Sequence, residues 1–68
     1  MKVKDLRAAA LKKANDLEAK AADENKNCLL MPAFVRAMRV VYECDNLRGR
    51  TDKEAEDRAE ELKKLIEG

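Results

Sequence analysis

Apolar side chains recur at intervals of three and four residues along the first third of the chain, which is the spacing of one face of an α-helix. The stripe falls in residues 3–24, a segment rich in Ala, Leu, Lys and Glu, which are all strong helix formers. The cluster ENKN at residues 24–27 predicts the end of this helix, because Asn tolerates a left-handed C-cap and Asn27 can cap the next element. The stripe consists of Val3, Leu6, Ala10, Ala14, Leu17 and Ala21.

The last part of the chain predicts a second amphipathic helix over residues 52–67. The letters TDKE at residues 51–54 match a capping box, in which the Thr51 and Glu54 side chains each accept a hydrogen bond from an orphan backbone N–H. Gly49 suits the positive φ at which a preceding helix ends, so we expect the middle helix to stop near residue 48. The apolar stripe of the last helix is Ala55, Ala59, Leu62 and Ile66, with Leu65 beside it.

The middle segment, residues 28–48, is also predicted to be helical, and it is much more apolar than its neighbours. Residues 28–44 read CLLMPAFVRAMRVVYEC; thirteen of these seventeen are apolar, in a chain where 43% of residues are charged. Pro32 makes the start ambiguous, because it lacks an amide hydrogen and biases Met31 away from helical angles. The helix begins either at Pro32 or near Cys28 with one hydrogen bond missing. We favour Cys28, because ENKN is already a sufficient connection.

Three helices of roughly twenty, twenty and sixteen residues joined by short loops predict an all-α fold, an antiparallel three-helix bundle. The 68 residues form a single domain, residues 1–68, with helices over about 3–24, 28–48 and 52–67. A chain of this length buries only about 60% of the surface that its unfolded form exposes, so its core is small.

The apolar arc of the middle helix is wider than a bundle core needs. At about 100° per residue it spans about 240°, whereas a core-facing helix buries somewhat over 100°. One broad face is predicted to be core and holds Leu30, Phe34, Ala37, Met38, Val41 and Cys44. Two flanks extend it, one formed by Leu29, Ala33, Val40 and Leu47 and the other by Met31, Val35 and Tyr42. The core does not account for both flanks, so one is available to solvent or to a partner.

The charged residues of the middle segment are typical of a protein–protein interface. Residues 28–50 contain four arginines and no lysine, together with the only tyrosine and two of the three methionines. Interfaces are enriched in Tyr, Met and Arg and depleted in Lys, because an Arg fork is weakly hydrated. We therefore predict a partner-binding face composed of Cys28, Met31, Pro32, Val35, Arg36, Arg39 and Tyr42.

Other interpretations of these residues remain open. Met31, Val35 and Tyr42 also fit a self-association interface or ordinary packing at the edge of the core. Arg36 and Arg39 also fit a solvated helix face. Leu11, together with Ala8 and Ala22, lies off the main stripe of the first helix and either joins the same surface or is exposed by itself.

Composition argues against several classes of function. Fifteen Lys and Arg balance fourteen Asp and Glu, so we expect no nucleic-acid binding. The longest apolar run is interrupted by arginines and the N-terminal residues lack an apolar h-region, so we expect a soluble protein with no membrane span and no signal peptide, of unknown location. The sequence has no histidine and no C-x-x-C, and no activated nucleophile is recognisable. We therefore expect neither metal, cofactor nor enzyme activity.

The two cysteines are not predicted to form a disulfide with each other. Sixteen residues separate Cys28 from Cys44, which is about 24 Å along a continuous helix and far beyond the roughly 7 Å Cα limit for a disulfide. Cys44 falls on the predicted core face and is expected to behave as a small buried hydrophobe. Cys28 falls near the polar edge, where it is exposed, reactive or bridged to another chain.

The outer segments, VKDLRAAALKKANDLEAKAADE and TDKEAEDRAEELKKLIEG, resemble de novo designed helices in their dense Glu, Lys, Ala and Leu usage and in the TDKE box. The whole chain resembles the class of designed three-helix-bundle miniproteins used as protein binders. That resemblance implies a scaffold in which one or two helices carry a hot-spot surface, a role that residues 28–44 fit. It also implies one protein target, often an extracellular receptor or a pathogen surface protein in this class.

The same stretch departs from ideal design in its two cysteines, its proline and its apolar run. These departures indicate a grafted natural helix, a binder matured by selection, or a natural scaffold with redesigned parts. If the whole chain is natural, the interpretation as a homo-oligomer is favoured more strongly. We therefore expect a monomeric engineered binding module that docks through its second helix. The alternatives are a structural protein that self-associates as a homodimer through that helix, and an epitope-display scaffold.

Overall fold

The computed structural model describes residues 2–48 and 50–67, which form three α-helices and one short 3₁₀ turn. The α-helices are α1 (Val3–Asp23), α2 (Pro32–Leu47) and α3 (Lys53–Glu67), and the 3₁₀ turn η1 (Cys28–Leu30) lies between α1 and α2. No strand occurs in these ranges. The predicted all-α fold is therefore confirmed.

The three helices pack as an antiparallel bundle. The start of α1 lies beside the end of α2, where Arg7 Nε donates a hydrogen bond to Asp45 Oδ1 at 2.6 Å. The end of α2 also lies beside the first half of α3, where Glu43 pairs with Arg58 at 3.6 Å. Lys13 in α1 donates to the backbone carbonyl of Ile66 near the end of α3. Thus α1 and α3 run in the same direction and α2 runs against both.

The core consists of two clusters along the bundle. The larger one joins all three helices and holds Val3, Leu6, Ala10, Val40, Val41, Cys44, Ala55, Ala59 and Leu62. The smaller one holds Ala14, Phe34 and Ala37, with Leu17, Met31, Met38 and Ile66 packed around it. The alanine stripes of α1 and α3 leave room for the larger side chains of α2. Phe34 and Val41 are both buried, which confirms them as core positions.

The end of α1 is a Schellman motif, which confirms the prediction from the ENKN cluster. Asn25 takes the left-handed conformation, with φ of 55°. Its N–H donates to the carbonyl of Ala22 at 3.2 Å, and the N–H of Lys26 donates to the carbonyl of Ala21 at 2.7 Å. These two bonds satisfy carbonyls that the helix end would otherwise leave free, so the chain turns within four residues.

The second helix begins at Pro32, so the favoured start near Cys28 is wrong. Met31 has extended angles of φ −91° and ψ 116°, which is the region that a following proline imposes. Pro32 itself takes the first helical position, where a missing N–H leaves no hydrogen bond unmade. Before it, the Asn27 side chain accepts a hydrogen bond from the Leu29 N–H at 3.0 Å, which closes the η1 turn and confirms Asn27 as a cap.

The connection between α2 and α3 begins with a left-handed residue at the end of α2. Arg48 takes left-handed angles at the end of α2 (φ 42°, ψ 52°), and its N–H donates to the Cys44 carbonyl at 3.1 Å. Gly49, the residue predicted to have positive φ, lies outside the described residues.

Asp52, rather than Thr51, is the N-cap of α3. Its backbone carbonyl accepts the first helical hydrogen bond, from the Glu56 N–H at 3.1 Å, and its carboxylate is hydrogen-bonded by the Ala55 N–H. The predicted capping box at Thr51 and Glu54 is therefore wrong, because with Asp52 as N-cap the third helical position is Ala55, which has no side-chain acceptor to complete a box. The Arg50 guanidinium donates two hydrogen bonds to the Asp52 carboxylate, at 2.9 and 2.7 Å.

Candidate protein-binding surface

The orientation of α2 leaves one of its two apolar flanks facing outward. Val40 is completely buried, and Ala33 and Leu47 are half-buried, so their flank turns towards the core. Val35 and Tyr42 on the opposite flank are exposed. The 240° apolar arc is thus divided between the bundle core and the protein surface.

Large apolar side chains are exposed in only one part of the described chain. Within residues 2–48 and 50–67, those exposed are Leu29 at 66%, Leu30 at 80%, Val35 at 50% and Tyr42 at 62%. All four belong to η1 and α2. Single exposed apolar residues are common on protein surfaces, whereas four within residues 29–42 make this region the candidate interaction surface.

Three of these four residues line a single surface groove, called the α2 groove below. It has a volume of about 420 Å³ and takes every lining residue from η1 or α2. Phe34 and Met38, which also pack in the smaller core cluster, form its buried side. The lining residues are Leu29, Phe34, Val35, Met38, Arg39, Tyr42 and Glu43.

Leu29 and Leu30 lie where the sequence analysis did not place them. A continuous helix from Cys28 would put Leu30 on the core face and Leu29 on the adjoining flank, and both placements are wrong. Because α2 starts only at Pro32, η1 directs the two leucines away from the core. Leu29 then reaches the α2 groove, and Leu30 is the most exposed large apolar residue described.

The predicted partner-binding residues fall into three groups. Val35, Arg39 and Tyr42 are exposed and line the groove together. Pro32 and Arg36 are exposed outside the lining, while Cys28 and Met31 are half-buried against the smaller core cluster. Four lining residues were not predicted as part of this surface: Leu29, Phe34, Met38 and Glu43. The signal for Leu29 was Pro32, since a helix starting at the proline leaves the leucine in a turn.

Three of the six arginines contact carboxylates, whereas Arg36, Arg39 and Arg48 do not within the described residues. Arg7, Arg50 and Arg58 each contact at least one carboxylate, at distances between 2.6 and 3.7 Å. Arg36 and Arg39 form neither an ion pair nor a side-chain hydrogen bond with any part of the chain that the structure describes. Glu43 at the edge of the groove is the nearest acid in sequence, but it pairs with Arg58.

The two thiols have different environments, and both are free. Burial raises the pKa of the Cys44 thiol, and the neighbouring carboxylate of Asp45 raises it further. Cys44 is therefore a buried hydrophobe, as predicted. Cys28 is half-buried beside Met31 in the smaller core cluster.

A second surface depression lies on α1, with a volume of about 480 Å³, and Val3, Lys4, Arg7, Ala8 and Leu11 line it. Its apolar members are already packed, because Val3 is buried and Leu11 lies against the larger core cluster. Leu11 is therefore an edge-of-core residue that does not belong to the α2 groove.

The described residues form no metal-binding cluster at the groove. No group of three or more Cys, Asp or Glu side chains within residues 2–48 and 50–67 is arranged to hold a metal ion. None of the described helices has the length and apolar character that crossing a membrane requires. What the groove does offer is an apolar surface edged by arginine, which suits contact with another macromolecule.

No protein-family model, curated protein or solved structure matches the chain.

Proposed function

We propose that this protein is an engineered binding module that docks on a target protein through the α2 groove. One observation carries the proposal. Of the four large apolar side chains that the described residues expose, three line one groove. A protein interface combines dry apolar area with Tyr and Arg anchors, and here Val35 and Leu29 supply the first while Tyr42 and Arg39 supply the second.

The spacing of the groove residues favours a partner that packs along the helix. Val35, Arg39 and Tyr42 follow one another at intervals of four and three residues, so they form a single ridge along α2. The rest of α2 is anchored by its core side chains, so the ridge is rigid before a partner arrives. A preorganised surface loses little conformational entropy on binding, which raises affinity for a given area.

The engineered origin rests on the resemblance of the outer helices to designed ones. The distribution of exposed side chains is consistent with such an origin, because α1 and α3 have a charged exterior while η1 and α2 carry the exposed large apolar residues.

The first experiment measures molar mass against concentration by light scattering behind a sizing column, with and without reductant. A monomer near 7.7 kDa at every concentration is expected, since the groove is then free for another protein. A dimer that withstands reductant would overturn the proposal in favour of a self-associating structural protein. A dimer lost on reduction would identify Cys28 as the contact and leave the groove free.

The second experiment asks which surface of this chain is contacted by proteins that are selected to bind it. Helical hairpins with randomised outer positions are displayed on yeast and sorted for binding to the biotinylated wild-type protein. Most selected binders are expected to lose affinity for the Val35→Ser/Tyr42→Ser variant and to keep it for Leu30→Ser, which removes an exposed leucine outside the groove. Binders that ignore the double substitution would overturn the proposal.

A further inference from the structure

Two arginines beside the α2 groove are left without acidic partners. Arg36 and Arg39 are exposed, lie one helical turn apart, and pair with no carboxylate in the described parts of the chain. Like charges three or four residues apart destabilise a helix slightly, so the two guanidinium groups gain from an acidic partner. Residues 28–42 contain these two arginines and no Asp, Glu or Lys, whereas the whole chain is nearly neutral at +1.

We propose that the α2 groove accepts an amphipathic helix of another protein that presents two carboxylates one helical turn apart, facing Arg36 and Arg39. The inference rests on the proposed function and names the chemistry of the partner. Apolar side chains of the partner helix pack against Leu29, Val35 and Tyr42. Its carboxylates, from Asp or Glu three or four residues apart, accept hydrogen bonds from the two guanidinium groups.

A helical partner follows from the shape of the groove. The α2 residues that line the groove run from Phe34 to Glu43, so the groove follows the helix, and the ridge of Val35, Arg39 and Tyr42 is part of its lining. Side-chain rows spaced by three and four residues interdigitate with rows of the same spacing on another helix. An extended strand needs free backbone N–H and C=O groups to pair with, and the α2 backbone from Val35 to Arg48 is already hydrogen-bonded within the helix.

A second copy of the chain is a poorer occupant than an acidic partner. In a two-fold dimer the same patch meets itself, so Arg36 and Arg39 would face a surface that carries the same two positive charges. Glu43 does not relieve this conflict, because Arg58 of its own chain already holds it at 3.6 Å. Charge complementarity thus favours a different protein with an acidic face.

The test extends the yeast-display selection with a charge reversal. Hairpins are sorted in parallel against the wild-type protein and against Arg36→Glu/Arg39→Glu. The control is Lys4→Glu/Lys12→Glu, which makes the same change in net charge on the exposed side of α1. Circular dichroism checks that each variant remains folded, which is expected because all four side chains are exposed.

The wild-type selection is expected to enrich Asp and Glu over the unsorted library, concentrated at positions three or four residues apart. Those binders are expected to lose about a thousandfold in affinity on the Arg36→Glu/Arg39→Glu variant, about thirtyfold for each arginine contact, and little on the lysine control. The reversed variant is expected to enrich Lys and Arg instead. The association rate of these binders with the wild type is expected to fall as the salt concentration is raised.

The opposing results are distinct from one another. Binders that lose affinity for Val35→Ser/Tyr42→Ser but are neutral and ignore the arginines would overturn this inference and leave the proposed function standing. Binders that ignore both double variants would overturn both. Vesicles with and without phosphatidylserine provide a further arm. If the wild type binds the anionic vesicles but not the neutral ones, and the arginine reversal abolishes that binding, the partner is an anionic membrane surface. That result would overturn the proposal of an acidic helix.

Discussion

Leu29 and Tyr42 line the same groove, although thirteen residues separate them in the chain. Their shared position depends on Pro32, which holds Met31 in an extended conformation and so keeps η1 from joining α2. Had the helix run on through Cys28, Leu29 would lie at the opposite flank from Tyr42. One proline therefore adds a leucine from a turn to a surface that is otherwise built on a single helix.

Leu29→Ala and Leu30→Ala are expected to have different effects on binding. Both leucines are exposed in η1, but only Leu29 lines the groove. We expect Leu29→Ala to weaken a groove-selected helical binder by about 1–2 kcal/mol and Leu30→Ala to change its affinity by less than about 0.5 kcal/mol. Biolayer interferometry measures both. Equal losses would show that η1 contacts partners as a whole and that the groove does not define the surface.

Tyr42→Ala and Arg39→Ala are expected to remove binding without affecting the fold. Both side chains are exposed and lie on the groove, and Tyr and Arg are the residue types most often found as interface hot spots. Each substitution is expected to lower the affinity of a groove-selected binder by about 2 kcal/mol. Thermal melting should remain within a few degrees of the wild type. If both variants bind normally, the partner-binding face lies elsewhere on the bundle.

Phe34→Ala is expected to unfold or greatly loosen the bundle. Phe34 is 7% exposed and fills the smaller core cluster beside Ala14 and Ala37. Replacing a buried Phe with Ala costs about 3–5 kcal/mol, which is comparable to what a core of this size supplies. Urea denaturation followed by circular dichroism measures the loss.

Val35→Ala is the matched control for Phe34, because it removes an apolar side chain from the next position of the same helix. Val35 is half exposed, and Ala is the better helix former, so a change of less than about 1 kcal/mol in the free energy of unfolding is expected. A melting temperature unmoved by Phe34→Ala would show that the smaller cluster does not stabilise the fold.

The parts of this structure that local chemistry determines could be predicted from the sequence. The stripe of α1 and the turn at Asn25 follow from periodicity and from the tolerance of Asn for left-handed angles. Which flank of α2 faces the core could not be predicted, because it depends on where α1 and α3 pack against that helix. Both flanks are equally apolar in the sequence, and tertiary packing selects the one that contains Val40.

Two local features, the N-cap of α3 and the start of α2, were predicted wrongly because competing signals are adjacent in the sequence. At residues 51 and 52, Thr and Asp are both good N-caps, and the start of α3 at Lys53 makes Asp52 the N-cap. At residues 28–32, the ENKN connection favoured an early helix, and the constraint of Pro32 on Met31 prevailed. Val35, Arg39 and Tyr42 could be predicted as one surface, since a single helix fixes their relative positions, whereas Leu29 required knowledge of the turn.

The two cysteines are expected to react with iodoacetamide at different rates. Cys44 is 1% exposed, and burial raises the pKa of its thiol, so both access and the thiolate fraction are low. Cys28 is half-buried at the surface of η1. Mass spectrometry should show one adduct on the native protein, at Cys28, and a second only in denaturant. Fast labelling of Cys44 in buffer would indicate that the larger core cluster opens readily.

The charge of Asp52 is expected to make the stability of α3 depend on pH. The hydrogen bonds from Arg50 hold the pKa of the Asp52 carboxyl below its ordinary value of 3.8, so the folded state favours the ionised form. That stabilisation is fully present above pH 3.8. It is lost as the pH falls through the pKa that the carboxyl has in the folded state, which is lower. Asp52→Asn keeps a capping side chain but has no charge to lose.

At neutral pH we therefore expect the wild type to have a higher melting temperature than Asp52→Asn. The melting temperature of Asp52→Ala should be a further few degrees lower, because this variant also lacks the cap. Lowering the pH well below 3.8 should bring wild type and Asp52→Asn together, since protonation removes the charge that distinguishes them. Thr51→Ala is the control and should melt like the wild type at every pH, because Thr51 does not cap α3. If Thr51→Ala is instead the variant that destabilises the protein, the capping box at residues 51–54 forms in solution and Asp52 is not the N-cap.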